Sequence, residues 1–140
     1  MKILVAVDGS SYTKRMLAYL AAHDEWLGEE HRYTVVTAVA PIPPRATSAL
    51  DKSVLKSYYD DEAEKVFKPI RTFLAKQKIQ AEFVAKVGPP ADIVAALADK
   101  GDFALLMMGS HGHGSLANLV LGSVVTKVMA QSKVPVLLIR

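Results

Sequence analysis

Short apolar runs alternate with amphipathic stretches along the whole chain, and that rhythm constrains the fold more than any other feature. Ile3-Leu4-Val5-Ala6-Val7 is closed by Asp8-Gly9-Ser10. Tyr33 to Ala40 is rich in valine and threonine, Ile79 to Val87 alternates, and Phe103 to Met108 and Val134 to Ile139 are apolar. Runs of this length and composition read as strands, the most apolar of them buried on both faces. The stretches between them repeat their apolar residues at helical spacing.

The first helix is expected from about Tyr12 to Leu27, capped by Ser10 or Ser11 and stopped at Gly28, with Leu17, Leu20, Ala21 and Leu27 inward. Pro41-Ile42-Pro43-Pro44 ends the second strand, and Arg45 to Leu50 is expected to be a mobile loop. A long helix follows from about Asp51 to Lys76, with a kink or a break at Pro69, whose ring nitrogen has no hydrogen to donate. Gly88-Pro89-Pro90 opens a helix to about Asp99, with Ile93, Ala96 and Leu97 inward. Gly122-Ser123 opens the last, which runs to about Gln131. The order β-α-β-α-β-α-β-α-β implies an α/β fold, a five-stranded parallel sheet with helices on both faces. The 140 residues are expected to form a single domain, long enough to bury a full core.

Composition removes several classes of function. The chain has no cysteine, which excludes disulfides and thiolate metal sites. Its net charge is +3, but lysine and arginine are scattered with no run of five or more, so no nucleic-acid partner is expected. No uncharged apolar stretch reaches the ~18 residues of a membrane span, and Ile3 to Val7 is too short for the apolar part of a leader. A cytoplasmic location and no membrane contact are the expectation.

Ligands of open α/β sheets sit at the carboxyl ends of strands, where strand order reverses. Two strand ends carry unusual residues: Asp8-Gly9-Ser10 after the first, and Gly109 to Val125 after the fourth. Gly109, Gly112 and Gly114 let backbone N–H groups come close to an anion. Gly122-Ser123 then starts a helix, whose free N–H groups and dipole favour negative charge. Ser123 adds a hydroxyl donor, and together these groups make a nest for a di- or triphosphate. A tight turn with close helix packing explains the glycines alone equally well. No G-x-x-x-x-G-K-[ST] is present, nor a G-x-G-x-x-G after the first strand, which sets aside P-loop enzymes and the dinucleotide fold. His111 and His113 have no third partner in view for a metal, so no metal ligand is expected from protein side chains. Asp60, Asp61, Glu62 and Glu64 read as a solvated helix face with Lys65 and Lys68 as partners. Ser10 and Ser11 have neither a nucleophile elbow nor a matching histidine, so no catalytic residue is assigned.

The segment Gly109, Ser110-His111, Gly112, nine residues from His113 to Leu121, then Gly122-Ser123 fills every fixed position of G-x2-G-x9-G-[ST]. That pattern belongs to the ATP-binding subgroup of the universal stress proteins, and the chain resembles that family throughout. KILVAVDGS is similar to its first strand and aspartate, Gly88-Pro89 with Ile93 to its G-x-P-x-x-x-I stretch, and VPVLLIR to its closing strand. The resemblance implies a Rossmann-like adenine-nucleotide-binding fold with strand order 3-2-1-4-5. It implies ATP as ligand, with Mg²⁺ on the phosphates. It places Asp8, followed by Gly9 and Ser10, in the nucleotide pocket, with Val39 beside the adenine and Met108 near the base. Gly109, His111, Gly112, His113, Gly122, Ser123 and Val124 then surround the phosphates. Two departures from the family are a histidine at 113, where relatives vary, and the lack of a histidine around Met129 to Gln131. The apolar last strand, expected at a sheet edge, implies a homodimer through Val134 to Ile139. The function implied is a nucleotide-dependent stress-response module with an unknown downstream partner. The alternatives are a slow nucleotide hydrolase or adenylating enzyme, for which His111 is the nearest base, and an interaction protein that holds no nucleotide.

Overall fold

The computed structural model describes residues 1–26, 30–114 and 120–140. Five strands, β1 (Lys2–Ala6), β2 (Arg32–Val39), β3 (Ala81–Val87), β4 (Leu105–Gly109) and β5 (Val136–Ile139), form one sheet in the order β3-β2-β1-β4-β5. All four pairings are parallel, and Ala6 stands in register between Val36 and Met108. The helices are α1 (Ser11–Ala22), α2 (Pro44–Thr47), α3 (Lys52–Lys76), α4 (Pro90–Lys100) and α5 (Ser123–Gln131), with a 3-10 turn at Asp24–Trp26. The sheet order and the alternation of elements are those expected.

Side chains alternate across each strand, so the sheet feeds two cores. Ile3, Val5, Val7, Val35 and Met107 pack with Met16, Leu20, Phe67, Ile70 and Leu74 of α1 and α3. Leu4, Val36, Leu106 and Met108 pack with Val94, Ala98, Val125 and Val128 of α4 and α5. Fully burying one such side chain is worth roughly 1.5–3 kcal/mol, which is why the central strands tolerate no polar residue at these positions.

Four local expectations are corrected. α1 ends at Ala22, with His23 donating its N–H back to Leu20 O, while Leu27 and Gly28 lie outside the described residues. The stretch after Pro43 is not wholly loop, because Pro44 supplies a preset first helical position for α2. α3 is not broken at Pro69. Pro69 is exposed, so the carbonyl of Lys65 that it leaves without a partner faces water. In α4, Ile93 and Leu97 pack against the second core as expected, but Ala96 is exposed, and the fully buried stripe is Ala91, Val94, Ala95 and Ala98.

Candidate functional site

β1 is the point where strand order turns: the chain passes to β2 and β3 on one side and to β4 and β5 on the other. A cleft of ≈ 260 Å³ opens there, at the carboxyl ends of β1 and β4. Its floor is apolar and is set by register. Ala6, Val36 and Met108 lie side by side, and Ala38, Pro90, Val94, Val124 and Val125 extend the surface. The rim is polar, with Asp8, Thr13, Gly109, His111, Gly112, His113 and Gly122.

The β1–α1 loop is tied down by Asp8. Its Oδ1 accepts hydrogen bonds from the Ser10 N–H (2.9 Å) and the Thr13 hydroxyl (3.1 Å), while the Asp8 N–H donates to Thr13 Oγ1 (3.2 Å). Oδ2 faces Gly112, where a Cβ would lie 2.6 Å away. Gly9 takes φ +74° to turn the chain between strand and helix. Ser10 is the N-cap of α1, yet its buried hydroxyl makes neither a capping bond nor any other hydrogen bond among the described residues.

The second loop is held from several sides. His113 Nε2 lies 2.6 Å from Asp8 O and therefore donates to it. Ser110 Oγ is 3.0 Å from His111 Nδ1, and the His111 ring stands 5.1 Å from that of Tyr12. The Ser110 N–H donates to Ile139 O, and the Ser110 carbonyl accepts the Gly122 N–H, both at 2.8 Å. Gly122 is the N-cap of α5, and Thr126 N–H is bonded to Gly122 O. The N–H groups of Ser123, Val124 and Val125, one turn earlier, have no intrahelical acceptor. With the helix dipole they make this rim attractive to an anion.

The cleft therefore brings together Asp8, Met108, Gly109, His111, Gly112, His113, Gly122 and Val124 of the expected residues. Gly9, Ser10 and Ser123 flank it without lining it. Val39 is not among the lining residues: strand parity turns its side chain with Val35 towards the α1/α3 core, and Ala38 holds the cleft side of β2. Thr13 was not anticipated, although a hydroxyl in the first turn after Asp8-Gly9-Ser10 is its signal. Pro90 and Val94 enter from α4, whose place over the sheet no local motif reveals. The last five residues before Val120, 115–119, lie outside the described residues, so the middle of the nine-residue spacer has no structural account.

A doubly wound parallel sheet, with an apolar cleft at its switch point and an open helix N-terminus on the rim, defines a class of small-ligand-binding α/β proteins. Within that class the chain belongs to the universal stress protein family, whose profile matches residues 1–140. It is 34% identical over 140 residues to a universal stress protein of Thermus aquaticus, covering 99% of this chain and 97% of that one. Its fold is similar to the solved structure of a universal stress protein of Methanocaldococcus jannaschii, at TM-score 0.79, 24% identity and coverage of 99% and 94%. Three further family structures of the same fold hold nucleotides. One holds cAMP (TM-score 0.69, 23% identity, coverage 100% and 97%). One from Arabidopsis thaliana holds AMP (0.70, 13%, 99% and 90%). One from Archaeoglobus fulgidus holds dAMP (0.68, 23%, 100% and 98%).

Proposed function

We propose that the cleft binds ATP and that the chain works as a nucleotide-dependent stress-response module. The observation that carries this reading is the pairing of two unlike surfaces in one cleft. A flat apolar floor of Ala6, Val36, Ala38 and Met108 suits a purine, and the open N-terminus of α5 beside it suits phosphate. The nucleotides held by relatives support the same ligand class. No lysine or arginine is among the described residues lining the cleft. Phosphate charge is then met by N–H groups, and Mg²⁺ on the phosphates supplies the remainder. Asp8, with Oδ1 engaged by its own loop, is positioned to contact the nucleoside through Oδ2. Gly109, Gly112, Gly122, Ser123 and Val124 stand at the phosphates, with His111 and His113 around them.

The proposal extends to the assembly and its setting. β5 occupies a sheet edge and most of its residues are only half-buried, which suits a homodimer through Val134 to Ile139 in the cytoplasm. No described helix is long and apolar enough to cross a membrane.

The test is to denature freshly purified protein, identify released nucleotide by chromatography, and titrate ATP, ADP, AMP and cAMP calorimetrically with and without Mg²⁺. Gly122→Val is a poor control, because a Cβ there meets His111 Cα at 3.0 Å and Ser110 O at 3.1 Å. Ala38→Leu fills the floor while leaving every polar group in place. Adenine nucleotide released from the wild type is expected, with affinity reduced at least ~10-fold in Ala38→Leu, whose three added carbons take more space than the single methylene that already costs about that much. No released nucleotide and no heat with any of the four ligands would overturn the reading.

A further inference from the structure

A larger opening lies at the opposite end of the sheet. A groove of ≈ 660 Å³ is lined by Lys2, His31, Arg32, Lys78 and Glu82, among others. Lys2 and Arg32 open adjacent strands and are register partners. Their backbones are therefore about 4.8 Å apart. Lys2 Nζ donates to Gly101 O at 2.6 Å and lies 4.7 Å from the centre of the Phe103 ring. Glu82 is the one carboxylate among the described residues of the lining. Among the described residues the ion pairs are Lys56–Asp60, Lys65–Glu62 and Arg71–Glu64, all on α3. None of the three groove cations has an ion pair among the described residues.

Lys78 adds an independent observation. It follows the C-cap of α3 and takes φ +57°, the left-handed region. Its N–H donates to Ala75 O, and the Ile79 N–H donates to Leu74 O. This is the two-bond ending in which glycine is the usual residue, because a Cβ is strained there. A lysine in that place keeps the strain, and it lines the groove. Strain of this kind persists at positions where the side chain is used.

We propose that this groove is a second ligand site, distinct from the cleft, for a small, multiply charged anion bearing phosphate groups or clustered carboxylates. Arg32 presents its planar fork to two oxygens of the anion, and Lys78 and Lys2 supply point charges on either side. The site does not depend on the nucleotide reading, since it uses none of the cleft residues.

The test uses the whole chain and two probes, inorganic pyrophosphate and citrate, titrated calorimetrically at low ionic strength. Binding of either that is weakened in the groove variants supports the site, since pyrophosphate held only at the start of α5 would not respond to them, and which probe shows the larger loss assigns the ligand to phosphate or to carboxylate chemistry. Arg32→Gln should weaken the tighter probe at least ~10-fold, the loss of one charge-assisted bidentate contact. Lys78→Gly should weaken it several-fold while raising the denaturation midpoint, and Lys78→Arg should retain it. A purely structural lysine gives the second effect without the first. Binding that is unchanged in both Arg32→Gln and Lys78→Gly, or no binding of either probe at millimolar concentration, would overturn the proposal.

Discussion

The two ends of the sheet offer opposite solutions to holding charge. At the carboxyl end the cleft is small, its floor apolar, and its attraction for anions comes from backbone N–H groups at the start of α5. At the amino end the groove is more than twice as large, polar, and charged through Lys2, Arg32 and Lys78. The difference follows from the topology. In a parallel α/β sheet the helices start over the carboxyl ends of the strands and finish over the amino ends. The backbone therefore supplies partial positive charge at one end and partial negative charge at the other. Side chains must bring positive charge to the amino end, and they do.

The comparison predicts that the carboxyl end is intolerant of added atoms where the backbone itself is close. A Cβ at Gly109 would lie 2.5 Å from Tyr12 Cβ and 3.4 Å from the Tyr12 carbonyl carbon. Backbone-level contacts of this kind have no rotamer to relieve them, so Gly109→Ala should cost about 3 kcal/mol, the upper end for overpacking. Urea denaturation measures it, and a loss under about 1 kcal/mol would mean that β4 and α1 are less tightly apposed than described.

At the amino end a single buried hydroxyl sets a pH limit. The Tyr33 hydroxyl donates to Trp26 O, and burial pushes its pKa up from 10.0 to about 12. The unfolded chain therefore loses this proton near pH 10 while the folded chain keeps it until about pH 12. The contribution of Tyr33 is complete below pH 10 and is lost as the pH rises towards 12. Tyr33→Phe should cost about 1 kcal/mol at neutral pH, one hydrogen bond's worth. It should also flatten the fall in stability between pH 10 and 12. Parallel curves for the two proteins over that interval would remove Tyr33 as its source.

The smallest effect sharpens the contrast within one loop. A Cβ at Gly114 meets nothing within 4 Å among the described residues, and Gly114 is not among the positive-φ glycines. Gly114→Ala should change stability by less than about 0.5 kcal/mol. Measured beside Gly109→Ala, it separates glycines that make room from glycines that do not.

Much of the fold was legible because parallel strands buried on both faces must be short, apolar and bounded, and the five runs are. Strand ends shifted by a residue or two, since hydrogen bonding rather than hydrophobicity decides where a strand stops. Pro69 does not break α3, and sequence does not say that a missing N–H falls on the exposed face of a helix, as it does here. The candidate site was legible as a place, since Asp8 and the glycine pattern mark the switch point. Its inner surface was less so. Val39 and Ala38 differ by one residue, and in a strand one residue moves a side chain from one face of the sheet to the other, so which of them lines the cleft was not legible. The reason for Gly109 was also hidden, because its neighbour Tyr12 belongs to a helix at the other end of the chain.

Ser110 joins two parts of the molecule that the chain visits separately. Its N–H grips the last residue but one, and its carbonyl grips the N-cap of α5. The side chain is fully buried, which leaves the joint little play. A push on the start of α5 thus reaches the outermost strand through two hydrogen bonds and a single residue, as a crank reaches a rod through its pin. Whatever lies along the outer edge of β5 is mechanically in series with the rim of the cleft.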